Sequence, residues 1–577
     1  MVQTMVDGGA LLVQTLRSAG VDVAFVLHGG HLDPIFQACM DQGIRLVDTR
    51  HESAAGHAAD AYARQTGRVG VAMATAGPGF TNILTAITQA HLDGSPVLFI
   101  IGAAPLRDAE QWPLQGGIDQ VAMAKPVTKW SAQATSTELI PHLVAQALRS
   151  ARAGRPGPVL LEVPIDILYR RIEECPIPNF PAVHAPAPAP VAVEQVIEML
   201  MQAQRPVIVA GGGCLFSQAS RQLIAFAETT GIPVFTNGKA HGVFPNDHKL
   251  SGRGLGNIAA LAGTPSGGPD AALFLGARFG MFTGGGRLLP EDCRLAQVDI
   301  DGGEMGRLRA VDIPIEADCQ ATLSALNNAA DGYHWPDRSS WAQTIRALAC
   351  WHESAFTDVN QGAGAPSHPY LALKEVFAEI DADTIVCADG GEASQWAELA
   401  APANHPGQFM GHGYLGCLGI GMPFAIGAQI ANPDRRVICV VGDGAVGLNI
   451  QEFDTMVRHN LPIVTIVLNN KAWGMCVHGQ TAMFGGNRLV VTELGESRYD
   501  LVAEGFGCYG AYAERPEQVR AAVAAALASG RPACVNILTD LDVVFGPPDM
   551  SAKSAASDVT LDDSGEIEMP YYDNLKD

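Results

Sequence analysis

The chain has 577 residues, 47% hydrophobic and 17% charged, with a formal net charge of −23. That length suggests three or four domains with ample core, and the acidic balance argues against a nucleic-acid partner. Twelve scattered cysteines without a CxxC pair, no basic-then-apolar start and no run of about 20 apolar residues lead us to expect a reduced cytoplasm, no zinc site and no membrane span.

In chain order, residues 1–175 alternate strands (23–27, 44–48, 69–74 and 96–101) with Gly-rich turns and helical stretches. That repetition marks a doubly wound α/β domain. Within it, SAAGHAADAYARQTG is a helix of small residues, and Glu52 stands at its start. Residues 174–192 are dominated by Pro and Ala, which predicts an extended linker. A second α/β unit spans 193–350, with strands at 206–210, 271–276 and 294–299. Gly211-Gly212-Gly213 follows its first strand; the triplet suits a dinucleotide turn, but the spacing is not GxGxxG and such turns are common. Residues 330–366 are polar and bridge to a third unit over 366–545, with strands at 385–388, 437–441, 463–468 and 533–537. Residues 546–577 are small and acidic, with Tyr571 and Tyr572 near the end. Their composition predicts a flexible tail, and the tyrosines suit a closing flap.

The third unit carries the most specific pattern. Its strand at 436–441 ends in Gly442-Asp443-Gly444, and the strand at 461–468 ends in Asn469-Asn470, 27 positions on from Asp443. Each strand thus delivers a hard oxygen ligand to the carboxyl edge of a parallel sheet, where ligands bind. A carboxylate and an amide oxygen suit Mg²⁺, and Gly442 and Gly444 let backbone amides approach a phosphate. Singly, Asp-Gly and Asn-Asn are ordinary turn residues; their pairing at adjacent strand ends favours a metal–diphosphate site. Glu52 alone would be an ordinary helix N-terminal charge.

GDG followed at this interval by NN resembles the signature of thiamine-diphosphate enzymes. The three α/β units resemble the pyrimidine-binding, central and diphosphate-binding domains of their decarboxylase-type family, over roughly residues 8–545. The resemblance implies Mg²⁺ ligation by Asp443, Asn470 and the Ala472 carbonyl. It also implies cofactor contacts from Gly77, Asn82, Ser394, Gln395, Gly442, Gly444, Ala445 and Met475. Glu52, in RHESAAGHAADAYAR, matches the carboxylate that holds the pyrimidine. In HGYLGCLG, Leu418 matches the wedge that folds the cofactor and Gly416 the carbonyl that accepts from its amino group. In that family the glutamate and the metal site come from different subunits, so the resemblance implies at least a homodimer, and a tetramer by family habit.

The stretches LHGGHLDPIFQACMDQGIRLVDTRHESAAGHAADAYAR and LQGGIDQVAM resemble benzaldehyde lyases, which puts Gly30, His31 and Gln115 on the substrate side. His28 is equally compatible with a satisfied turn histidine, whereas for His31 the functional reading is favoured over that one. Ile165, Ser394 and Gly479 stand where those enzymes have aromatic walls, a poor setting for two phenyl rings. This departure, and the long C-terminal segment, resemble bacterial short-chain 2-hydroxyacyl-CoA lyases with a C-terminal lid. In that group Glu493, in VVTELGESRYD, matches a proton-relay glutamate on a short helix. Val127 and Thr492 match positions that limit acyl size and are smaller than the Leu and Ile usual there, which implies a roomier pocket. The resemblance implies reversible cleavage of an acyl-CoA such as 2-hydroxyisobutyryl-CoA to formyl-CoA and an aldehyde or ketone. Lys239, Arg253, Arg278 and Arg287 are candidates for the CoA phosphates, with Tyr571 and Tyr572 closing over the ligand. A benzaldehyde-lyase-like carboligase and an oxalyl-CoA-decarboxylase-like enzyme are the alternatives, with an acetolactate-synthase-like enzyme further off. A catalytically silent homologue is disfavoured by the joint presence of Glu52, Asp443 and Asn470.

Overall fold

A computed structural model of the chain describes residues 5–180, 184–357, 359 and 366–546. The expected lid, with Tyr571 and Tyr572, lies outside the described residues. Those residues form three six-stranded parallel sheets and one two-stranded antiparallel pair, Met5–Asp7 with Arg171–Glu173. The first sheet runs in the order Arg45–Asp48, Val23–Val26, Gly70–Ala74, Val97–Ala103, Val159–Pro164, Trp130–Gln133. The third repeats this order with Phe409–Met410, Ile385–Asp389, Val437–Gly442, Val464–Asn469, Ala533–Leu538 and Tyr509–Ala513. The central sheet differs: Ser251–Gly254, Val234–Thr236, Pro206–Ala210, Ala271–Leu275, Arg294–Asp299, Ile313–Glu316. Helices cover both faces, so the inner strands are buried on both sides and are almost purely apolar. The three doubly wound units are therefore as the strand pattern predicts. Among the described residues no helix is long and apolar enough to cross a membrane.

Two segments differ from expectation. Helix Pro190–Gln202 starts inside the predicted linker, because proline is well tolerated in a first helical turn. The polar bridge contains helix Ser339–Ala349, which buries Trp341, Ile345 and Ala349 at helical spacing. Trp341 Nε1 donates to the Pro206 carbonyl at 3.0 Å, and Arg338 donates to the carbonyls of Leu200, Ala203 and Thr230. The bridge is thereby part of the central domain.

Helix Glu52–Thr66 joins the first unit to the third. It is buried along nearly its whole length, between its own sheet and helix Pro78–Asp93 on one side and helix Gly421–Ala431 on the other. Its run of Ala and Gly is what such a position demands. A Cβ on Gly427 would lie 2.1 Å from the Ala58 carbonyl oxygen, and one on Gly56 would lie 2.5 Å from the Ala86 methyl. The helix also carries Arg64, whose guanidinium pairs with Asp60 at 2.7 Å and Asp93 at 2.8 Å and lies 4.7 Å from the Phe424 ring centre. At the helix start, Glu452 of the third unit accepts from the Arg50 amide at 3.1 and 3.2 Å.

Gly427→Ala should overpack the helix pair and cost about 1–3 kcal/mol, read as a lowered melting temperature. A pH effect is also expected. Burial pushes the Glu452 carboxyl up to about 7, against the opposing hydrogen bonds of Thr455 and the Arg50 amide. Its folded pKa thus lies above its reference value of 4.5, so its stabilising contribution is full below 4.5 and is lost as pH rises through about 7. Between pH 5 and 8 the wild type should lose on the order of 2–3 kcal/mol that Glu452→Gln does not lose, measured by denaturant unfolding.

Candidate active site

The strand order of the third sheet reverses between Ile385–Asp389 and Val437–Gly442. In open parallel sheets that is where ligands bind. Asp389-Gly390-Gly391 and Gly442-Asp443-Gly444 leave the sheet side by side there, with Asn470 at the end of the next strand. Asp443 Oδ2 and Asn470 Oδ1 each accept from the Ala472 amide at 3.2 Å, so the two oxygens converge on one point. Burial pushes the Asp443 carboxyl up to about 6, against hydrogen bonds from the Gly444 and Ala472 amides. Lys471, between the converging residues, takes a left-handed φ of 61°. The chain here is as close as glycine allows: a Cβ on Gly444 would lie 2.5 Å from the Trp473 ring, and one on Gly474 2.4 Å from Asn470 Nδ2.

This edge opens into a cavity of about 1650 Å³. Gly416, Leu418, Ser394, Gln395, Gly442 to Ala445, Asn470, Ala472 and Met475 line it, so the structure brings these candidates together. The same cavity continues to the central sheet, whose order reverses between Pro206–Ala210 and Ala271–Leu275. There it meets Gly211 to Gly213 and Gly276, packed so closely that a Cβ on Gly211 would lie 2.3 Å from the Gly276 carbonyl oxygen. Lys239, Arg253 and Arg278 also line it, whereas Arg287 does not and donates through Nε to the Gly284 carbonyl. Arg253 is turned inward, with Nη1 at 2.7 Å from His352 Nε2 and Nη2 on the Leu399 carbonyl. Arg278 donates to the Leu92 carbonyl at 2.8 Å and stacks on Tyr414, leaving it at the wall.

A second group gathers at the carboxyl edge of the first sheet. Glu52 is buried at the first position of its helix and accepts from Asn82 Nδ2 at 3.0 Å. Gly77, with φ of 63°, caps the next helix, and its would-be Cβ lies 3.0 Å from that of Gln115. Gln115 is itself left-handed at 63°. His31 Nδ1 lies 3.0 Å from Thr75 Oγ1, and burial lowers its pKa, so its imidazole is neutral at pH 7. His28 is exposed and paired with Asp33 at 3.0 Å, an ordinary turn histidine. Gly30 opens the short turn to Leu32, and Val127 packs at the edge of the core that the first and third units share. None of Glu52, Gly77, Asn82, His31 and Gln115 lines the cavity that holds Asp443. The two groups are separate within one chain.

The substrate-side segment corrects one expectation. Glu493 lies on extended chain rather than a short helix, bridged antiparallel to Ala472. Trp473 N–H donates to the Thr492 carbonyl and Leu494 N–H to the Lys471 carbonyl, both at 2.8 Å. That pairing, invisible in a local pattern, ties Glu493 to the Asp443–Asn470 loop. Thr492 is buried and Glu493 exposed. Gly479 and Ile165 are half-buried and outside the cavity lining.

Sequence reasoning missed several participants. Arg155, from a Gly/Pro turn of the first unit, lines the cavity and donates to the Leu92 carbonyl at 2.9 Å. Its setting, ARAGRPG, is a Gly-containing turn like those that hold Lys239, Arg253, Arg278 and Arg287, and is the sequence signal for it. Gln120 links Gly77 to the sheet: it accepts the Gly77 amide at 2.8 Å and donates to Glu162 at 2.5 Å. Asp93 joins Arg64 to Lys239 across the domain boundary, at 2.8 and 3.6 Å. Burial lowers the Lys239 pKa to about 8 despite that partner.

Three family models match in register with the three sheets: thiamine pyrophosphate enzyme N-terminal binding domain over residues 6–123, central domain over 193–326, and C-terminal binding domain over 389–537. The chain belongs to the thiamine pyrophosphate enzyme family. Its relatives include a probable acetolactate synthase of Mycobacterium bovis, 35% identical over 94% of this chain and 97% of the relative. Acetolactate synthase isozyme 2 large subunit of Escherichia coli is 32% identical over 92% and 96%. The 2-hydroxyacyl-CoA lyase 2 of Bos taurus is 32% identical over 92% and 90%. Acetolactate synthases thus stand no further from this chain than the lyase does, which corrects their placing as a remote alternative.

The residues present fit thiamine diphosphate. Gly442, Asp443 and Gly444 line the cavity at a strand end, where a diphosphate would meet backbone amides, and a Cβ on Gly416, which lines the same cavity as Leu418, would meet nothing within 4 Å. Asp93→Ala should leave Arg64 and Lys239 under-compensated in a buried setting and cost on the order of 3–5 kcal/mol, read by thermal or denaturant unfolding.

Proposed function

We propose that the protein is a carbon–carbon lyase that cleaves short or branched 2-hydroxyacyl-CoA thioesters, such as 2-hydroxyisobutyryl-CoA, reversibly to formyl-CoA and an aldehyde or ketone. The observation that carries this reading is the single cavity running from Asp443 and Asn470 to the reversal point of the central sheet. A CoA thioester needs a nucleotide seat and a distant reaction centre, and a reversal point lined by glycines and by Arg155, Lys239 and Arg278 suits the nucleotide end. The net charge of −23 repels anions globally, so recognition falls to these local cations.

Thiamine diphosphate, when bound, supplies a nucleophilic carbon for the thioester carbonyl. Asp443 and Asn470, whose oxygens converge on the Ala472 amide, would hold Mg²⁺ together with the Ala472 carbonyl, an all-oxygen set that suits a hard cation. Leu418 would pack against the bound cofactor and the Gly416 carbonyl would accept from its amino group. Glu52, steadied by Asn82, would hold the proton at the pyrimidine ring nitrogen. Because Glu52 and Asn82 lie off their own chain's cavity, this reading assigns them to the site of a partner subunit, in a homodimer or a tetramer built from two. Glu493 takes the proton of the substrate 2-hydroxyl as the C1–C2 bond breaks and returns it to the one-carbon fragment. His31, neutral and held by Thr75, and Gln115 orient the leaving carbonyl. Val127 and Thr492 bound the acyl group, and residues 546–577 with Tyr571 and Tyr572 exclude water.

A second reading, carboligation of 2-oxo acids, is favoured by the acetolactate synthases among the relatives. Incubation with thiamine diphosphate, Mg²⁺ and 2-hydroxyisobutyryl-CoA should release formyl-CoA and acetone. Acetolactate from pyruvate, or cleavage of benzoin, without formyl-CoA from the thioester would overturn the lyase reading. Glu493→Gln should lower lyase turnover by about 10²–10⁴-fold with cofactor affinity unchanged, by kinetics and calorimetric titration.

A further inference from the structure

We propose that Glu452 is a positioning residue for Glu52: its carboxylate, carried by the segment that continues from the Asp443 turn, fixes the chain where it enters the Glu52 helix. The inference rests on the reading of Glu52 as the pyrimidine carboxylate.

Glu452 opens helix Glu452–Arg458 and is wholly buried. Both its oxygens face the Arg50 amide, at 3.1 and 3.2 Å, and Oε2 accepts from Thr455 Oγ1 at 2.6 Å. Arg50 lies two residues before Glu52, past the end of strand Arg45–Asp48, and His51 is the helix cap. A buried polar group is costly unless it is hydrogen-bonded, and the Glu452 oxygens are used on the turn that presents Glu52. Three residues earlier, buried Asn449 donates through Nδ2 to the Gly419 carbonyl at 2.6 Å, next to Leu418. One short segment thus braces both the wedge of the diphosphate half-site and the entry to the pyrimidine half-site.

The other charges around this turn hold its outer side. Arg458 and His459 pair with Asp48, and Arg50 pairs with Asp454 at 3.5 Å. The His51 ring is engaged with Ser53. None of these reaches the Arg50 amide, which is left to Glu452 among the described hydrogen bonds. A shift of even 1 Å in a group remote from the chemistry costs as much as 10²-fold in rate.

The test compares Glu452→Ala, Glu452→Gln and Glu52→Gln in the full-length protein. In the apoprotein, hydrogen–deuterium exchange of amides 49–54 should accelerate in Glu452→Ala and stay near wild type in Glu452→Gln, whose amide oxygen still accepts. In the holoenzyme, proton exchange at C2 of bound thiamine diphosphate should slow by roughly tenfold to 10²-fold in Glu452→Ala, with cofactor affinity little changed and Glu452→Gln restoring most of the rate. Wild-type C2 exchange in Glu452→Ala, even with a lowered melting temperature, would overturn the proposal, as would unchanged amide protection. Glu52→Gln separates the two inferences: near wild-type C2 exchange in that variant refutes the role of Glu52 itself, whereas a slow Glu52→Gln beside a fast Glu452→Ala refutes only the positioning role.

Discussion

The constraint on which the rest depends is the contact between helices Glu52–Thr66 and Gly421–Ala431. It brings backbone to backbone with no room for a methyl at Gly427. Such an approach is possible only with Gly and Ala along both faces, which is why the first helix is SAAGHAADAYA and the second GMPFAIGAQIA. It merges the cores of the first and third units into one. Arg64 belongs to the same contact: buried among apolar groups, it stays charged because Asp60 and Asp93 take its donors. Asp93 then reaches Lys239, so the central unit docks on the same charge network.

Each sheet presents its carboxyl edge where its strand order reverses, and the functional groups collect at those edges. In the first unit the edge carries Glu52, Asn82, His31 and Gln115; in the third it carries Asp443 and Asn470. The docking of one unit on the other through the 52–66 and 421–431 helices leaves the two edges apart within a chain. The central and third edges, by contrast, share one cavity. The cavity within a chain therefore runs from Asp443 and Asn470 towards Lys239 and Arg278, and Glu52 does not line it.

Much of the fold was legible in the sequence. Strands flanked by Gly-rich turns are local signals, and the apolar runs at 97–103, 206–210 and 437–442 could only be inner strands of parallel sheets. The polar bridge was misjudged because three tryptophans in a polar stretch do not announce a buried face until Trp341 is seen to donate to Pro206. The site was legible where its residues stand in motifs at strand ends, as with Asp443 and Asn470. It was not where the partner is distant: the bridge between Glu493 and Ala472, Gln120 under Gly77, and Arg155 at the cavity wall each join segments that no local pattern links.

The sequence by itself determined the cofactor class and the three-unit architecture, because both rest on short-range patterns: strand–glycine–helix units and oxygen ligands at strand ends. Only the tertiary structure decided which cations line the cavity. Arg278 and Arg155 converge on Leu92, Arg253 is drawn to His352, and Arg287 stays off the wall. The physical reason is that a side chain's charge is spent where its nearest opposite charge or carbonyl lies, and those neighbours come from elements up to about 190 residues away.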